Sequence, residues 1–223
     1  MIAYVSGATA TLRRVGAPHK LGHLITPNTG NDPLALVQTG RQLAVDNAAF
    51  SGFNHRAFMA LVNHLQAHDV WYDWLAVPDV VGNALATLWL FHEYLGLVLD
   101  ADPDRWPVAF IGQDGAEDLD LDDVWGCASC WFIGGSTEWK LSAAAADLVQ
   151  EARRRGLWVH MGRVNTFGRL QYAYEIGCDS IDGTGVSKWP EVNLPILLRW
   201  LGQLDARPFL HDGQHLSHGE QER

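Results

Sequence analysis

The sequence predicts an α/β protein that folds as a compact (β/α)8 TIM-type barrel. Three observations predict it: eight short apolar runs recur along the 223 residues, helix-like stretches separate many of them, and six successive runs end in polar residues or glycines. Strands that alternate with helices are typical of a parallel sheet, and eight such units close a barrel. A doubly wound sheet is the rival interpretation, but no Gly-x-Gly-x-x-Gly motif follows the first run to support a dinucleotide site.

Each predicted strand is an apolar run with the length of a buried strand. In chain order the runs are Ile2–Val5, Leu21–Thr26, Leu43–Ala48, Trp71–Val77, Val108–Gly112, Cys130–Gly134, Trp158–Gly162 and Ser180–Asp182. A barrel of this length lies near the lower end of the usual range, roughly 200 to 400 residues. We therefore expect short loops.

Periodicity and end signals predict four of the helices. Apolar residues recur every 3.6 residues in the first two, and the predicted ranges are 58–65, 85–98, 143–155 and 193–204. Ser142 is the expected N-cap of the third helix, and Gly156 is the residue expected just after its end. Pro195 is expected in the first turn of the last helix, where proline is tolerated.

Composition excludes several classes of protein. Hydrophobic residues make up 48% and charged residues 19%, which excludes intrinsic disorder, and the net charge is −10. The apolar stretch 84–99 is interrupted by His92 and Glu93, and no basic segment opens the chain, so we expect a cytoplasmic protein without a membrane span. We expect one catalytic barrel domain over 1–207 and a polar, flexible tail over 208–223.

The three cysteines suit a reducing compartment. Cys127 and Cys130 form a C-x-x-C pair, which can bind zinc or act in redox chemistry. A structural zinc site needs about four ligands, and the sequence has no second pair. We therefore expect buried or half-buried thiols, no metal site and no cofactor.

Carboxylates stand where three predicted strands end, and the active site of a (β/α)8 barrel lies at that end. Asp46, Asp79 and Asp182 each follow apolar residues, and Gln113 and Gly134-Gly135 follow two neighbouring strands. Several carboxylates at one mouth suit glycosidic chemistry, in which one attacks the anomeric carbon and another handles the proton. For any single Asp, helix capping or an Asx turn is the alternative.

Six short segments in this order resemble the landmarks of the tRNA-guanine transglycosylases. The resemblance is closest to the branch that inserts 7-deazaguanine bases into DNA in phages and bacteria, and it runs from about Asp46 to Asp182. The segments are Asp46-Asn47-Ala48-Ala49-Phe50, Pro78-Asp79, Ile111-Gly112-Gln113, Ile133-Gly134-Gly135, His160-Met161-Gly162 and Gly177-Cys178-Asp179-Ser180-Ile181-Asp182.

The resemblance implies the roles of the catalytic residues. Asp182 corresponds to the nucleophile that attacks C1′ of the target nucleoside and expels guanine. Asp46 corresponds to the general acid/base. The incoming deazaguanine would then open the covalent intermediate with retention of configuration.

The resemblance also implies a site for the base. Asp79 would bind its ring N–H and exocyclic amine, while Gln113 and the backbone N–H of Gly135, next to Gly134, would bind its carbonyl. Phe50 and Met161 would cover its two faces. A flat heterocycle needs such apolar faces and in-plane polar partners.

Three departures from the family favour DNA over tRNA. No cysteine follows Cys178, so we expect no zinc-binding extension of the kind that the tRNA enzymes carry, and the basic loop expected after the nucleophile is replaced by Gly183–Lys188. The family's Asp-Ser-Gly-Gly is Asp46-Asn47-Ala48-Ala49 here, which makes a stiffer loop. A tRNA-directed enzyme, a base-releasing N-glycosidase and a non-catalytic base-binding partner subunit stay open as alternatives.

The expected partner is DNA, as a single strand or with the target base flipped out, in the host cytoplasm if the chain is phage-encoded. Arg163 and Lys188 are the candidate phosphate contacts, and Trp139 and Trp189 are candidates for stacking on bases, with simple packing as the alternative. The tryptophans at 71, 74 and 89 are expected in the core. A homodimer is among the assemblies that the sequence allows.

Overall fold

A computed structural model describes residues 1–15, 20–99 and 106–206. Its eight strands form a closed barrel in which neighbours pair in parallel and the last strand pairs with the first. The strands are β1 (Ile2–Ser6), β2 (Leu21–Ile25), β3 (Leu43–Val45), β4 (Leu75–Ala76), β5 (Val108–Gly112), β6 (Cys130–Ile133), β7 (Trp158–Met161) and β8 (Ser180–Asp182). The predicted (β/α)8 barrel is therefore confirmed.

Strand β3 ends three residues before the predicted boundary. The Asp46 side chain accepts the backbone N–H of Ala48 at 2.6 Å, and Ala48 adopts the left-handed conformation with φ 63°. This turn takes Asp46 out of the strand and into the loop. A non-glycine residue in that conformation is strained, and such strain is common at functional sites.

Ten α-helices and two short 3-10 helices, Ala49–Ser51 and Ala116–Asp118, accompany the barrel in the described residues. The α-helices are α1 (Thr9–Arg14), α2 (Pro33–Val37), α3 (His55–Ala67), α4 (Ala84–Leu99), α5 (Asp122–Cys127), α6 (Thr137–Lys140), α7 (Ala143–Arg154), α8 (Phe167–Ile176), α9 (Thr184–Lys188) and α10 (Pro190–Asp205). Ser142 caps α7 by accepting the N–H of Ala145, as predicted. The last helix begins at Pro190, earlier than predicted, so Pro195 lies in its interior.

Large aromatic side chains fill the barrel interior beside small residues. Tyr4 meets Trp74 edge-on with 5.6 Å between ring centroids, and Trp74 meets Phe132 in the same way at 5.5 Å. Ala44, Ala76 and Ala109 lie in the same cluster. Gly22 has no room for a side chain, because a Cβ there would lie 2.5 Å from the Tyr4 ring. The interior is thus a packed core, and ligands are confined to its mouth.

The tryptophans expected in the core divide between core and surface. Trp74 is fully buried, whereas Trp71 is 65% exposed and Trp89 is 72% exposed. The expectation was wrong for Trp89 because α4 is apolar around most of its circumference, so periodicity does not identify the packed face. Trp71 lies before β4 rather than in it, since that strand comprises two residues.

Cys127 is exposed at the end of α5, contrary to expectation, while Cys130 is buried in the barrel interior. The tail over 208–223 lies outside the described residues. No helix in the described ranges combines the length and the apolar character needed to cross a membrane.

Replacing Trp74 tests the aromatic core. Trp74→Ala should lower the free energy of unfolding by about 3 to 5 kcal/mol, because it leaves a cavity among Tyr4, Phe132 and His160. Trp74→Phe should lower it less, since the indole N–H has no hydrogen-bond partner to lose. Urea unfolding followed by circular dichroism measures both, and equal losses would contradict this account.

Candidate active site

An open pocket of about 290 Å³ lies at the carboxyl ends of the strands. Asp46, Asp79, Gln113 and Asp182 line it together, from the ends of β3, β4, β5 and β8. Its volume is close to the lower end for small-molecule sites, about 300 Å³. The structure therefore brings together the polar residues that the sequence placed at separate strand ends.

Asp182, the last residue of β8, receives hydrogen bonds on both carboxyl oxygens. His160 Nε2 lies 3.0 Å from Oδ2, and the backbone N–H of Arg163 donates to Oδ1 at 3.0 Å. Burial alone would raise the pKa of Asp182, but the hydrogen bonds from His160 and from the Arg163 N–H, together with the positive charge of Lys140, outweigh it, and the pKa lies below its usual value. Asp182 is therefore ionised at neutral pH, as a nucleophile must be.

A chain of hydrogen bonds inside the barrel fixes the orientation in which the His160 ring meets Asp182. Trp158 Nε1 donates to Ser180 Oγ at 2.7 Å, and Ser180 Oγ lies 2.8 Å from His160 Nδ1. In this network the Ser180 hydroxyl donates to Nδ1 of His160, and the hydrogen of the imidazole ring lies on Nε2. Burial lowers the pKa of His160, so the neutral ring donates to Asp182.

Asp46 has the opposite electrostatic character. Burial and then the negative charge of Asp182 raise its pKa to about 7, even though the N–H of Ala48 favours the ionised form. Asp46 can consequently hold or release a proton near neutral pH. The pocket therefore holds one carboxyl group that is ionised and one that can give up or take a proton near neutrality.

Asp79 and Gln113 form a rigid polar wall. Asp79 Oδ1 accepts from Asn47 Nδ2 at 2.9 Å, and Asp79 Oδ2 accepts from Gln113 Nε2 at 2.6 Å. Gln113 Oε1 accepts the backbone N–H groups of Gly82 and Gly135, both at 2.8 Å. Burial raises the pKa of Asp79. These contacts fix the orientation of the side-chain amides of Asn47 and Gln113 at the pocket wall.

Two glycines bring the backbone close to this wall. A Cβ on Gly134 would lie 2.4 Å from Ile111 and 2.7 Å from Gln113 Nε2, and Gly135 has φ +64°. A side chain at either position is therefore excluded. The N–H of Gly135, expected to bind the base carbonyl, donates instead to Gln113 in this structure.

Phe50 and Arg163 form the outer rim of the pocket. Phe50 is 70% exposed, and the Arg163 guanidinium lies 4.6 Å from the centre of its ring. The same guanidinium donates to the carbonyl of Gly135. Arg163, predicted as a nucleic-acid contact, therefore borders the pocket itself.

Four predicted residues do not line the pocket. Met161 is buried in the outer core, because the side chains of β7 alternate and His160 takes the inward position. Trp139 is 6% exposed and its indole N–H donates to Glu117 at 2.7 Å, so a base has no access to stack on it. Lys188 and Trp189 are exposed at the end of α9, outside the pocket lining.

Sequence reasoning missed three residues of the site: Asn47, His160 and Lys140. Asn47 holds Asp79, His160 holds Asp182, and the buried Lys140 lines the pocket while donating to the carbonyl of Gly162 at 2.8 Å. Strand alternation could have found His160, because it lies on the same barrel face as the neighbouring Asp182. No group of three or more His, Cys, Asp or Glu within the described ranges could hold a metal ion.

No protein-family model and no curated protein matches the sequence. Among solved structures, a mandelate racemase/muconate lactonizing protein from Herpetosiphon aurantiacus is 16% identical with a TM-score of 0.50, over 82% of this chain and 54% of that one. The chain thus spans about half the length of that protein. An HpcH/Hpal aldolase/citrate lyase family protein from Burkholderia cenocepacia J2315 is 12% identical with a TM-score of 0.52, over 92% and 95% of the chains. At these identities the likeness shows the fold alone.

Asp46→Asn should stabilise the protein at high pH. The pKa of Asp46 rises from 3.8 to about 7 on folding, so the folded state binds more protons between these values and stability falls as pH rises through that window. Asn removes this loss. We expect a gain of about 1 to 2 kcal/mol at pH 8, reduced for solvent access from the pocket, that disappears near pH 4. Urea unfolding across this range measures it, and a gain that does not depend on pH would contradict the raised pKa.

Proposed function

We propose that this chain is a guanine transglycosylase that exchanges guanine in DNA for a 7-deazaguanine base such as preQ0. The observation that carries the proposal is one small pocket that holds an ionised Asp182 and an Asp46 with a pKa of about 7. Glycosidic chemistry uses two carboxyl groups whose pKa values are separated in this way. The order of motifs from Asp46 to Asp182 supports the same reaction.

In the first step an oxygen of Asp182 attacks C1′ of the target nucleotide while the C1′–N9 bond breaks. The bonding electrons leave with guanine, and Asp46 gives this leaving group its proton. The products are a covalent glycosyl ester on Asp182, free guanine and an ionised Asp46.

In the second step the incoming 7-deazaguanine opens the ester. Its N9 attacks C1′, its N9 proton passes to Asp46, and the bond between C1′ and Asp182 breaks. Both carboxyl groups return to their starting states. Two displacements at C1′ retain the configuration of the sugar.

In this proposal the base is bound through its polar edge and one of its faces. Asp79 accepts from the ring N–H and the exocyclic amine, and Gln113 with the N–H of Gly135 binds the carbonyl. Phe50 covers one face at the pocket mouth. Because Asp79, Gln113 and Gly135 are bonded to one another in this structure, the base must replace part of that network when it binds.

DNA is the proposed substrate because the segment Gly183–Lys188 replaces the basic loop that the tRNA enzymes carry after the nucleophile. The target base has to leave the stack before Asp182 can reach C1′. With a net charge of −10, the chain must hold the strand through few basic groups, of which Arg163 and Lys188 are the candidates, with Trp189 stacking nearby. Binding should therefore be modest and sensitive to salt.

Asp182→Asn should reduce the exchange of labelled guanine into DNA by at least about a thousandfold, because it removes the nucleophile. The matched control is Asp122→Asn, which changes an exposed Asp at the start of α5, remote from the pocket. Wild-type protein incubated with DNA should also give a covalent adduct on a denaturing gel that Asp182→Asn lacks. Undiminished exchange by Asp182→Asn would contradict this assignment.

Comparing DNA with tRNA as the acceptor of a labelled base distinguishes DNA base exchange from its alternatives. Labelled preQ0 should enter single-stranded or duplex DNA and not tRNA. Entry into tRNA alone would identify a tRNA enzyme, and guanine release without incorporation would identify an N-glycosidase. A protein that binds the base but gives neither exchange nor adduct with any acceptor would be a non-catalytic partner subunit.

A further inference from the structure

Lys140 is a buried cation that the proposed reaction does not use. It is 4% exposed, ends the short helix α6 and lines the pocket. Its Nζ donates to the carbonyl of Gly162, and within the described ranges it forms no ion pair and no second hydrogen bond. Buried lysines are almost always paired. Two N–H groups are thus left for a ligand in the pocket.

The order of residues around the barrel locates this cation relative to a bound base. Going round the mouth, Asp79 follows β4, Gln113 follows β5, Gly135 follows β6, and Asp182 ends β8. Going round guanine, the amine and N1 come first, then the carbonyl O6, then position 7, then N9. With the amine at Asp79, the carbonyl at Gly135 and N9 at Asp182, position 7 faces the arc between β6 and β8.

Lys140 and Gly162 occupy that arc. Gly162 follows β7, lines the pocket and holds Nζ through its carbonyl. A Cβ on Gly162 would lie 2.6 Å from Phe132 and 3.3 Å from Asp182 Oδ2, so the backbone approaches the nucleophile closely here. In the base orientation described above, a substituent on position 7 would extend toward Nζ.

We propose that Lys140 selects the incoming base by its 7-substituent. It favours a substituent that is a neutral or anionic hydrogen-bond acceptor, such as a nitrile or a carboxylate, and it disfavours a cationic aminomethyl group. This inference rests on the proposed function, because that function sets the orientation of the base. It assigns a specificity-determining role to a residue outside the family's motifs.

The local charges agree with this role. Burial, followed by the positive charge of Arg163, lowers the pKa of Lys140 to about 8, so the side chain is still mainly cationic at pH 7. The negative charges of Asp182 and Asp114 and the positive charges of Arg163 and Arg169 also act on it. A second ammonium on the base would meet both Lys140 and Arg163 in a site of low dielectric.

The test compares two 7-deazaguanines of similar size, one with a nitrile and one with an aminomethyl group, in DNA base exchange at pH 7. Wild-type protein should have a kcat/KM at least about tenfold higher for the nitrile base. Lys140→Met should bring the ratio of the two kcat/KM values close to one, and Lys140→Glu should favour the aminomethyl base. Lys140→Arg, which keeps the charge, should retain the preference for the nitrile.

Lys20→Gln is the matched control, since Lys20 pairs with Asp205 outside the pocket. It should leave the ratio unchanged. Thermal melting confirms that each variant folds. If Lys140→Met does not fold, the comparison of Lys140→Arg with Lys140→Glu still tests how the sign of the charge at position 140 affects the ratio. The proposal would be overturned if the wild type used both bases with equal efficiency. It would also be overturned if the ratio of the two kcat/KM values did not change with the charge at position 140. Failure of all exchange by wild type would instead reject the proposed function.

Discussion

Asp182 stays ionised in a buried pocket because a hydrogen-bond chain crosses the barrel interior to reach it. Trp158, Ser180 and His160 form this chain, and it depends on strand alternation, which turns all three toward the same interior as Asp182. A carboxylate in such surroundings would otherwise take up a proton. The chain also fixes the neutral tautomer of His160 that donates to Asp182. The barrel core thus determines the chemistry at its mouth.

The charge on Asp182 in turn acts on its neighbour Asp46. Three carboxyl groups in one small pocket cannot all ionise freely, because like charges at short range disfavour each other. Asp182 keeps its charge through hydrogen bonds from His160 and the Arg163 N–H, and burial together with the negative charge of Asp182 raises the pKa of Asp46. The pocket therefore holds one ionised carboxyl group and one whose pKa lies near neutrality. This division is what makes the site suited to glycosidic chemistry.

The sequence predicted the barrel and the convergence of Asp46, Asp79 and Asp182, since apolar runs followed by polar residues reveal strand ends directly. It misplaced Met161, because proximity to a strand end says nothing about which face a side chain takes. Lys140 was missed because α6 is a four-residue helix without periodicity, and its side chain returns to the pocket only in three dimensions. Trp139 was misjudged because its hydrogen-bond partner Glu117 lies in a short 3-10 helix after β5, 22 residues earlier in the chain.

The division of ionisation between the two carboxyl groups can be measured directly. Carbon-13 NMR of protein labelled at aspartate side-chain carboxyls, titrated from pH 2 to pH 9, follows each group, with Asp46→Asn and Asp182→Asn giving the assignments. The account predicts that Asp182 titrates below the ordinary value of 3.8, that Asp46 titrates at about 7, and that the pKa of Asp46 falls in Asp182→Asn. Ordinary titration of both groups near pH 4, or the reverse order, would contradict it.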